Sequence, residues 1–265
     1  MNPVDLENKL AGLPLGKIRY FDSIGSTNDY AIYWLQYGPP NLSVVIANEQ
    51  TSGRGRAGRQ WLTPRGAALA VSVILYPDQL QHTHLAMING LGALAVSEAL
   101  LKLGLSPSIK WPNDVLLNRQ KVAGILPEAQ WLGDTLRGVV LGIGINVQRA
   151  AVPPAEMVSF PAGCIEEALG QPVPRELLLR EVLDALISWI ACLGQPSFLK
   201  TWENRLAFQD EPVKLVPSSG EPVEGRLLGL TPEGNVRLLV GQDEQVFMAG
   251  EIRLRPLVES KQRGG

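Results

Sequence analysis

Short apolar runs alternate with helix-like stretches over the first 147 residues of the chain. Six runs are rich in Val, Ile and Leu and are bounded by polar or glycine-containing turns, which is the pattern of half-buried or buried strands. The strands predicted from this pattern are 18–21, 43–47, 67–75, 109–117, 122–129 and 138–147. Helices are predicted between them at about 27–37 and 84–103, and Ser26 and Asp29 have the spacing of a capping box at the start of the first helix.

The pattern changes after residue 147. Residues 148–162 contain three prolines and no apolar periodicity, so they are predicted to form a connector on the surface. Two amphipathic helices are predicted to follow at 176–193 and 197–206. From 211 to 255, short apolar runs are separated by the turn clusters PSSG, TPEG and GQDE, which predicts a small antiparallel barrel of the size of an SH3 domain.

Together these patterns predict an α+β fold in two domains. The first domain, residues 1–208, holds the predicted sheet and its flanking helices. The second domain, residues 209–258, is the SH3-like β-barrel, and residues 259–265 are predicted to be a disordered tail.

Composition and charge narrow the class of protein. The 265 residues include 45% hydrophobic and 19% charged residues, which is outside the range of disordered chains, and the net charge of −2 argues against a nucleic-acid backbone as the main partner. Cys164 and Cys192 are too few for a disulfide framework, which indicates a reducing compartment. The chain does not start like a secretory signal, and we expect no apolar run of the roughly 18 residues that span a membrane. We therefore expect a cytoplasmic protein that does not enter a membrane.

The densest cluster of glycine and arginine is GRGRAGR at 53–59. It contains the letters of the dinucleotide fingerprint G-x-G-x-x-G, but Pro64 and not a helix follows, so the pyrophosphate-binding turn of that fold is not expected. Arginines separated by glycines allow the backbone to approach a ligand while the guanidinium groups bind carboxylate or phosphate. A solvated surface loop is the alternative interpretation.

A second candidate is KWPND at 110–114. Pro112 marks the end of a strand, so its polar neighbours are predicted to lie where the sheet opens. Asp114 could bind a metal ion or a proton and Lys110 could bind phosphate, whereas a simple turn is the alternative. Lys121 begins an otherwise apolar strand, where a lysine that extends to solvent is the alternative.

A third candidate is GIGIN at 142–146. Residues two apart share one face of a strand, so Gly142 and Gly144 are predicted to leave a bare strip that ends at Asn146. Such a strip suits the close approach of a ligand, and tight packing of another part of the chain is the alternative. The isolated H-x-H at 82–84 has no further ligand at a recognisable spacing, so no metal site is assigned.

Five segments, taken in order, resemble the biotin–protein ligase (biotin–[acetyl-CoA-carboxylase] ligase) family. They are STN at 26–28, GRGRAGRQW at 53–61, KWPNDV at 110–115, KVAGILPE at 121–128 and GIGIN at 142–146. The resemblance extends from Tyr20 to Pro256 and implies a mixed-sheet catalytic domain with flanking helices, of the class II synthetase-like fold, followed by an SH3-like β-barrel. It also implies the reaction: ATP and Mg²⁺ are used to make biotinyl-5′-AMP from biotin, and biotin then passes to a specific lysine of the biotin carboxyl carrier protein of acetyl-CoA carboxylase.

The resemblance further implies roles for individual residues. The biotin-binding residues would be Ser26, Thr27, Asn28, Gln50, Gly53, Arg54, Gly55, Arg56, Lys121, Gly124, Gly142 and Gly144. The nucleotide-binding residues would be Arg54, Arg56, Trp61, Lys110, Asn113, Lys121 and Asn146, with Trp61 near the adenine. Arg56, Lys121 and Asp114 would take part in catalysis, and Asp114 would do so by assisting metal binding or by deprotonating the acceptor lysine.

This chemistry needs cations beside a neutral polar surface. The biotin carboxylate and an ATP phosphate repel each other by about 4 kcal/mol per pair of charges at ~4 Å and an effective dielectric constant near 20. Arg54, Arg56, Lys110 and Lys121 can offset that repulsion and stabilise the charge that develops on the phosphate. The ureido end of biotin is polar but uncharged, so hydroxyl and amide side chains suit it.

The expected partners follow from the same resemblance. Family members that repress transcription carry an N-terminal winged helix-turn-helix, whereas 17 residues precede the first predicted strand, so we expect a monofunctional enzyme with no specific DNA binding. Open sheet edges are compatible with a homodimer. The alternatives are a lipoate or octanoyl transferase of related fold, which would be expected to lack the arginine–glycine loop, and a non-catalytic regulator that binds biotin or a nucleotide.

Overall fold

Seven strands form the larger of two sheets in the computed structural model, which describes residues 1, 3–76, 82–217, 220–249 and 252–257. They are β1 (Ile18–Phe21), β2 (Val44–Ala47), β3 (Ala68–Leu75), β4 (Ser108–Lys110), β5 (Asp114–Leu117), β6 (Gln120–Leu132) and β7 (Thr135–Asn146), and their order across the sheet is β1-β2-β3-β7-β6-β5-β4. The pair β1–β2 is parallel and the other pairs are antiparallel, so the sheet is mixed as predicted.

One predicted strand is wrong. The segment 109–117 is not continuous, because the chain turns back at Trp111–Asn113 and Lys110 pairs with Asp114 across an antiparallel hairpin. Pro112 cannot donate a hydrogen bond to a strand neighbour, and the peptide bond before it is cis. The turn brings the polar residues at both of its ends to the same edge of the sheet.

The described residues include six α-helices. They are α1 (Pro3–Leu10), α2 (Thr27–Leu35), α3 (Ile88–Lys102), α4 (Ile165–Leu169), α5 (Arg175–Ile190) and α6 (Pro196–Asn204). The sequence analysis predicted α2, α3, α5 and α6 to within a few residues, with a 3₁₀ turn instead of α-helix before α3, and it missed α1 and α4. Ser26 caps α2 by accepting a hydrogen bond from the backbone N–H of Asp29 at 3.4 Å.

The expectation that no apolar run reaches the length of a membrane span is wrong at helix α3 and the turn before it. Residues 85–102 form a stretch of 18 residues with a mean hydropathy of 1.4, which is long and apolar enough to cross a membrane by those two criteria. Two-thirds of the stretch is buried inside the protein (67%), as is usual for the central helix of a core. Many of its apolar residues are small, including Gly90, Gly92, Ala93 and Ala95, so the run is less conspicuous in sequence than a stretch of leucines.

The second sheet contains five antiparallel strands. They are β8 (Pro212–Pro217), β9 (Val223–Leu230), β10 (Val236–Val240), β11 (Asp243–Phe247) and β12 (Ile252–Pro256), in the order β11-β10-β9-β8-β12. This agrees with the small antiparallel unit predicted for the C-terminal part. The boundary between 208 and 209 stays a prediction, and the predicted tail 259–265 lies outside the described residues.

Two buried tryptophans join the two sheets. The indole Nε1 of Trp111, in the β4–β5 turn, donates a hydrogen bond to the carbonyl of Gly234 at 3.0 Å. The ring of Trp202, on α6, lies so close to Gly90 and Gly234 that a Cβ atom at these glycines would come within 2.5 Å and 2.7 Å of it. The turn between β9 and β10 therefore fits against Trp202 on α6 only if residue 234 has no side chain.

We expect Gly234→Ala to destabilise the protein more than Gly241→Ala. Both glycines have positive φ, +82° and +64°, so each substitution costs about 1–2 kcal/mol of backbone strain. A Cβ at Gly241 has no atom within 4 Å, whereas one at Gly234 overlaps Trp202 and adds about 1–3 kcal/mol of overpacking. Urea unfolding of both variants measures the difference, and equal losses of stability would contradict the packing described here.

Candidate active site

A cavity of about 790 Å³ opens where the β4–β5 turn, the strands β6 and β7 and the segment 53–61 meet. All the site residues predicted from the sequence line it except Gly53. The predicted residues that line it are Ser26, Thr27, Asn28, Gln50, Arg54, Gly55, Arg56, Trp61, Lys110, Asn113, Asp114, Lys121, Gly124, Gly142, Gly144 and Asn146. The five sequence segments thus converge on a single site, although they span about 120 residues of the chain.

Segment 53–61, the arginine hairpin, is a tight hairpin and not the start of a helix. The Trp61 N–H donates to the Gly53 carbonyl at 2.9 Å, and the Gly55 N–H donates to the Arg59 carbonyl at 2.7 Å. Its tip, Ala57 and Gly58, has φ of +53° and +68°, the two consecutive positive values that a type I′ hairpin turn requires. Gly53 does not line the cavity. A Cβ there would come within 2.3 Å of the Trp61 carbonyl oxygen, so the lack of a side chain at this position serves the hairpin itself.

The predicted bare strip of glycines is covered in this structure. Gly124 and Gly144 pair across β6 and β7, and the indole of Trp61 lies on them, with Cε2 of Trp61 within 2.5 Å of a Cβ built at Gly144. The side chain of Asn28 covers Gly142, with Oδ1 at 2.3 Å from the corresponding Cβ position. The tight packing given as the alternative is therefore what this structure shows at the strip, and the glycines allow the close approach of Trp61 and Asn28.

Uncharged polar groups form one end of the cavity. Thr27 donates from its backbone N–H and its hydroxyl to Gln50 Oε1, at 2.8 and 3.1 Å, and Gln50 Nε2 donates to the Thr63 hydroxyl at 3.0 Å. The Ser72 hydroxyl donates to Asn28 Oδ1 at 2.6 Å. Thr63 and Ser72 also belong to this network, and both are buried. The sequence analysis missed them because Ser72 lies within an apolar run and Thr63 within a turn-like segment, and neither has a distinctive neighbour.

Charged groups form the other end. The Asp114 carboxylate lies between two ammonium groups, with Lys121 Nζ at 2.5 Å from Oδ1 and Lys110 Nζ in contact with Oδ2. Burial raises the pKa of Asp114, but the two lysines outweigh it and hold that pKa well below its usual range. Burial lowers the pKa of Lys110 to about 8, an effect that Asp114 opposes. The Asp114 carboxylate is therefore ionised and paired with two cationic neighbours.

Several contacts place the remaining predicted residues. Arg56 Nη1 donates to Asn113 Oδ1 at 3.0 Å, and Asn113 Nδ2 donates to the Ile125 carbonyl at 2.7 Å, so the arginine hairpin is tied to the β4–β5 turn. Lys121 Nζ lies 5.2 Å from the centre of the Trp61 ring, a cation–π distance. Asn146 uses its Nδ2 to donate to the carbonyl of residue 163 at 3.0 Å.

The sequence analysis missed several residues of the site wall. Glu128 lines the cavity and pairs with Arg54, although it stands at the end of the quoted segment 121–128. The predicted surface connector contributes Phe160, and the second sheet contributes Arg255, which lies 5.9 Å from the centre of that ring. No local pattern marks these residues, because their partners are distant in sequence.

Comparisons with known proteins agree with this site. Residues 20–146 match the Biotin/lipoate A/B protein ligase family. The chain is 35% identical over 237 residues to a biotin–[acetyl-CoA-carboxylase] ligase of Paracoccus denitrificans, with 86% of this chain and 96% of that protein covered. The chain belongs to the biotin–protein ligase family.

The resemblance stated from the sequence is therefore confirmed, and so is the fold class. A structure of biotin protein ligase from Aquifex aeolicus in complex with biotin and ATP is 28% identical, with a TM-score of 0.79 over 91% of this chain and 99% of that one. The chain is also 36% identical over 166 residues to the bifunctional ligase/repressor BirA of Bacillus spizizenii. That match covers 62% of this chain and 50% of the relative, so this ligase-family chain spans about half the length of the Bacillus protein it matches.

We expect Lys110 to lose its proton near pH 8. Below that pH it is an ammonium ion paired with Asp114, and above it the buried amine is neutral, because burial disfavours the charge. The ¹³Cε resonance of Lys110, assigned by its absence in Lys110→Met, should titrate with a midpoint near 8. Asp114→Asn removes the favourable partner and should lower the midpoint further, whereas a midpoint at the ordinary value of 10.5 would contradict this description.

Proposed function

We propose that this chain activates biotin with ATP to form biotinyl-5′-AMP and then transfers biotin to a specific lysine of a biotin carboxyl carrier protein. It is thus proposed to be a biotin–[biotin carboxyl-carrier protein] ligase. The observation that carries the proposal is a single cavity with cations at one end and neutral hydrogen-bonding groups at the other. The names and bound ligands of its relatives in Paracoccus and Aquifex support the same assignment.

The proposed reaction uses the two ends of the cavity for different parts of biotin. Thr27 and Gln50 suit the uncharged ureido group, whereas Lys121 and Arg56 suit the carboxylate and the α-phosphate. In the first step a carboxylate oxygen attacks the α-phosphorus, and the bond to the β-phosphate breaks to release pyrophosphate. Lys121 and Arg56 lower the repulsion between the reacting anions and stabilise the charge that develops in the transition state.

In the second step the neutral amine of the acceptor lysine attacks the carbonyl carbon of the adenylate. An amide bond forms, the bond from that carbon to the phosphate oxygen breaks, and AMP leaves with its charge beside the same cations. The amine loses a proton to water as the amide forms. Asp114 is a poor acceptor for that proton because its two lysine partners hold its pKa low, so we assign to it the orientation of Lys110 and Lys121.

Mg²⁺ would neutralise charge on the phosphates of ATP. Within the described residues, no three His, Cys, Asp or Glu side chains are grouped to hold a metal ion, and the carboxylates that line the cavity belong to Asp114 and Glu128. Both are already paired with cations of the protein. The residues therefore fit a magnesium ion that is bound mainly by the phosphates and water, the usual arrangement for this ion with nucleotides.

The cellular location, the partners and the alternative functions of the enzyme are also proposals. The enzyme is proposed to be cytoplasmic, because two cysteines are too few for a disulfide framework. The net charge of −2 argues against a nucleic-acid backbone as the main partner, and the carrier protein is the proposed macromolecular partner. A homodimer through a sheet edge stays a prediction. The arginine hairpin and the family relatives favour biotin over lipoate or octanoate, and catalysis over a non-catalytic regulator.

We expect Lys121→Met to lower the rate of adenylate formation by a factor on the order of 10², because it removes a charge from the reacting groups while keeping most of the side-chain length. The rate is measured as pyrophosphate released in the presence of biotin and ATP. Lys200→Met is the control, since Lys200 is exposed on α6 and does not line the cavity.

The same assay separates the alternatives. The wild-type protein should release pyrophosphate only with biotin and should add the mass of one biotinyl group to a purified carrier domain, as read by intact mass spectrometry. Release that does not depend on biotin, or activity with octanoate or lipoate in its place, would contradict the proposal. Tight binding of biotin without pyrophosphate release would identify a regulator.

A further inference from the structure

Arg54 and Glu128 form a two-point ion pair across the wall of the cavity. Arg54 Nη1 lies 2.9 Å from Glu128 Oε1, and Nη2 lies 2.7 Å from Oε2. Arg54 belongs to the arginine hairpin and Glu128 to β6, so the pair connects elements 74 residues apart in sequence. Parallel two-point contacts of this kind are the most directional ion pairs that proteins make.

The same two side chains also contact α2. Arg54 Nη2 lies 2.7 Å from Asp29 Oδ1, and Asn28 Nδ2 donates to Glu128 Oε2 at 2.7 Å. Asn28 in turn covers Gly142 on β7 and accepts a hydrogen bond from Ser72. One ion pair therefore joins the arginine hairpin to the helix whose first turn forms the polar end of the cavity.

Charge also argues that this pair stays together when a ligand binds. If Arg54 turned towards an anionic ligand, the carboxylates of Glu128 and Asp29 would lose their cation while a further anion entered the cavity. Like charges at such distances repel. An arginine that already neutralises two carboxylates is thus badly placed to bind a third anion.

We propose that Glu128 is a positioning residue that latches the arginine hairpin over the cavity through Arg54, so that Arg54 is a structural link and not a ligand of the biotin carboxylate or of phosphate. The role assigned to Arg54 from the family resemblance would then be replaced. This inference rests on the proposed function only for the identity of the anionic ligand. The latch itself is a property of the free protein.

Limited proteolysis tests the latch without any ligand. Trypsin should cut Glu128→Gln after Arg56 and Arg59 at least about threefold faster than it cuts the wild type. The loss of one ion pair raises the fraction of molecules with an open hairpin by about that factor. Asp29→Asn, which removes the more exposed partner, should have a smaller effect. Cleavage at these sites must accelerate more than cleavage elsewhere in the chain, so that general unfolding is not mistaken for opening.

The matched control is Glu244→Gln. Glu244 makes the same two-point contact with Arg237, at 2.7 and 3.0 Å, but in the second sheet. Its removal should leave the cleavage of the arginine hairpin unchanged. Equal cleavage rates for Glu128→Gln and wild type would overturn the proposal, whatever the protein's activity is.

A charge-rescue experiment tests the role of Arg54. Arg54→Gln leaves Glu128 unpaired beside the anionic ligand and should raise the KM for biotin about tenfold, with a smaller change in kcat. Adding Glu128→Gln removes that carboxylate, and the double variant should recover part of this loss although the latch stays absent. If the double variant binds biotin no better than Arg54→Gln, the unpaired carboxylate does not cause the loss and the proposal is wrong. Absence of biotin-dependent pyrophosphate release in the wild type would overturn the proposed function but leave the proteolysis result standing.

Discussion

A buried carboxylate between two ammonium groups determines how the charged end of the cavity is built. Lys110 and Asp114 are only 4% and 7% exposed, so neither charge has bulk water to stabilise it. Asp114 satisfies both lysines, and its own pKa is held low by them. Without Asp114 the two ammonium groups would face each other in a dry site, and the buried Lys110 would give up its proton more readily. Lys110, Asp114 and Lys121 form a triad that carries one excess positive charge, which is what an anionic substrate requires.

The triad in turn depends on the break in the first sheet. A continuous strand over 109–117 would place Lys110 and Asp114 some four residues apart along one strand, whereas the turn at Trp111–Asn113 makes them cross-strand neighbours. The second sheet supports this turn, because Trp111 donates its indole hydrogen bond to the backbone of Gly234. The second sheet also adds Leu254 and Arg255 to the cavity wall. The C-terminal strands therefore help to support the β4–β5 turn and to form the cavity wall, although none of the recognised sequence segments lies in them.

The sequence could predict elements whose signal is local. Short apolar runs bounded by turn residues predicted the strands of both sheets, and the periodicity of Leu and Val predicted α5, since these patterns depend on residues close by in sequence. The short helices α1 and α4 escaped because eight and five residues hold too few periods. Pro112 suggested a strand end, but the return of the chain depends on pairing with β5. The arginine hairpin was predicted to contact a ligand, yet the partners of Arg54 lie 25 and 74 residues away and leave no mark on its own segment.

Trp61 shows why a chemical motif alone does not determine where a side chain lies. The family resemblance places it near the adenine, whereas in this structure its indole lies on the Gly124–Gly144 pair and Lys121 lies over its ring. Among the described residues its buried Nε1 has no hydrogen-bond partner, and an unpaired buried donor costs about 1–3 kcal/mol. Any ligand that reaches the glycine pair must either displace the indole or offer that N–H an acceptor. Biotin and ATP both carry oxygen acceptors, so a ligand in the cavity can supply the hydrogen-bond partner that the indole N–H lacks.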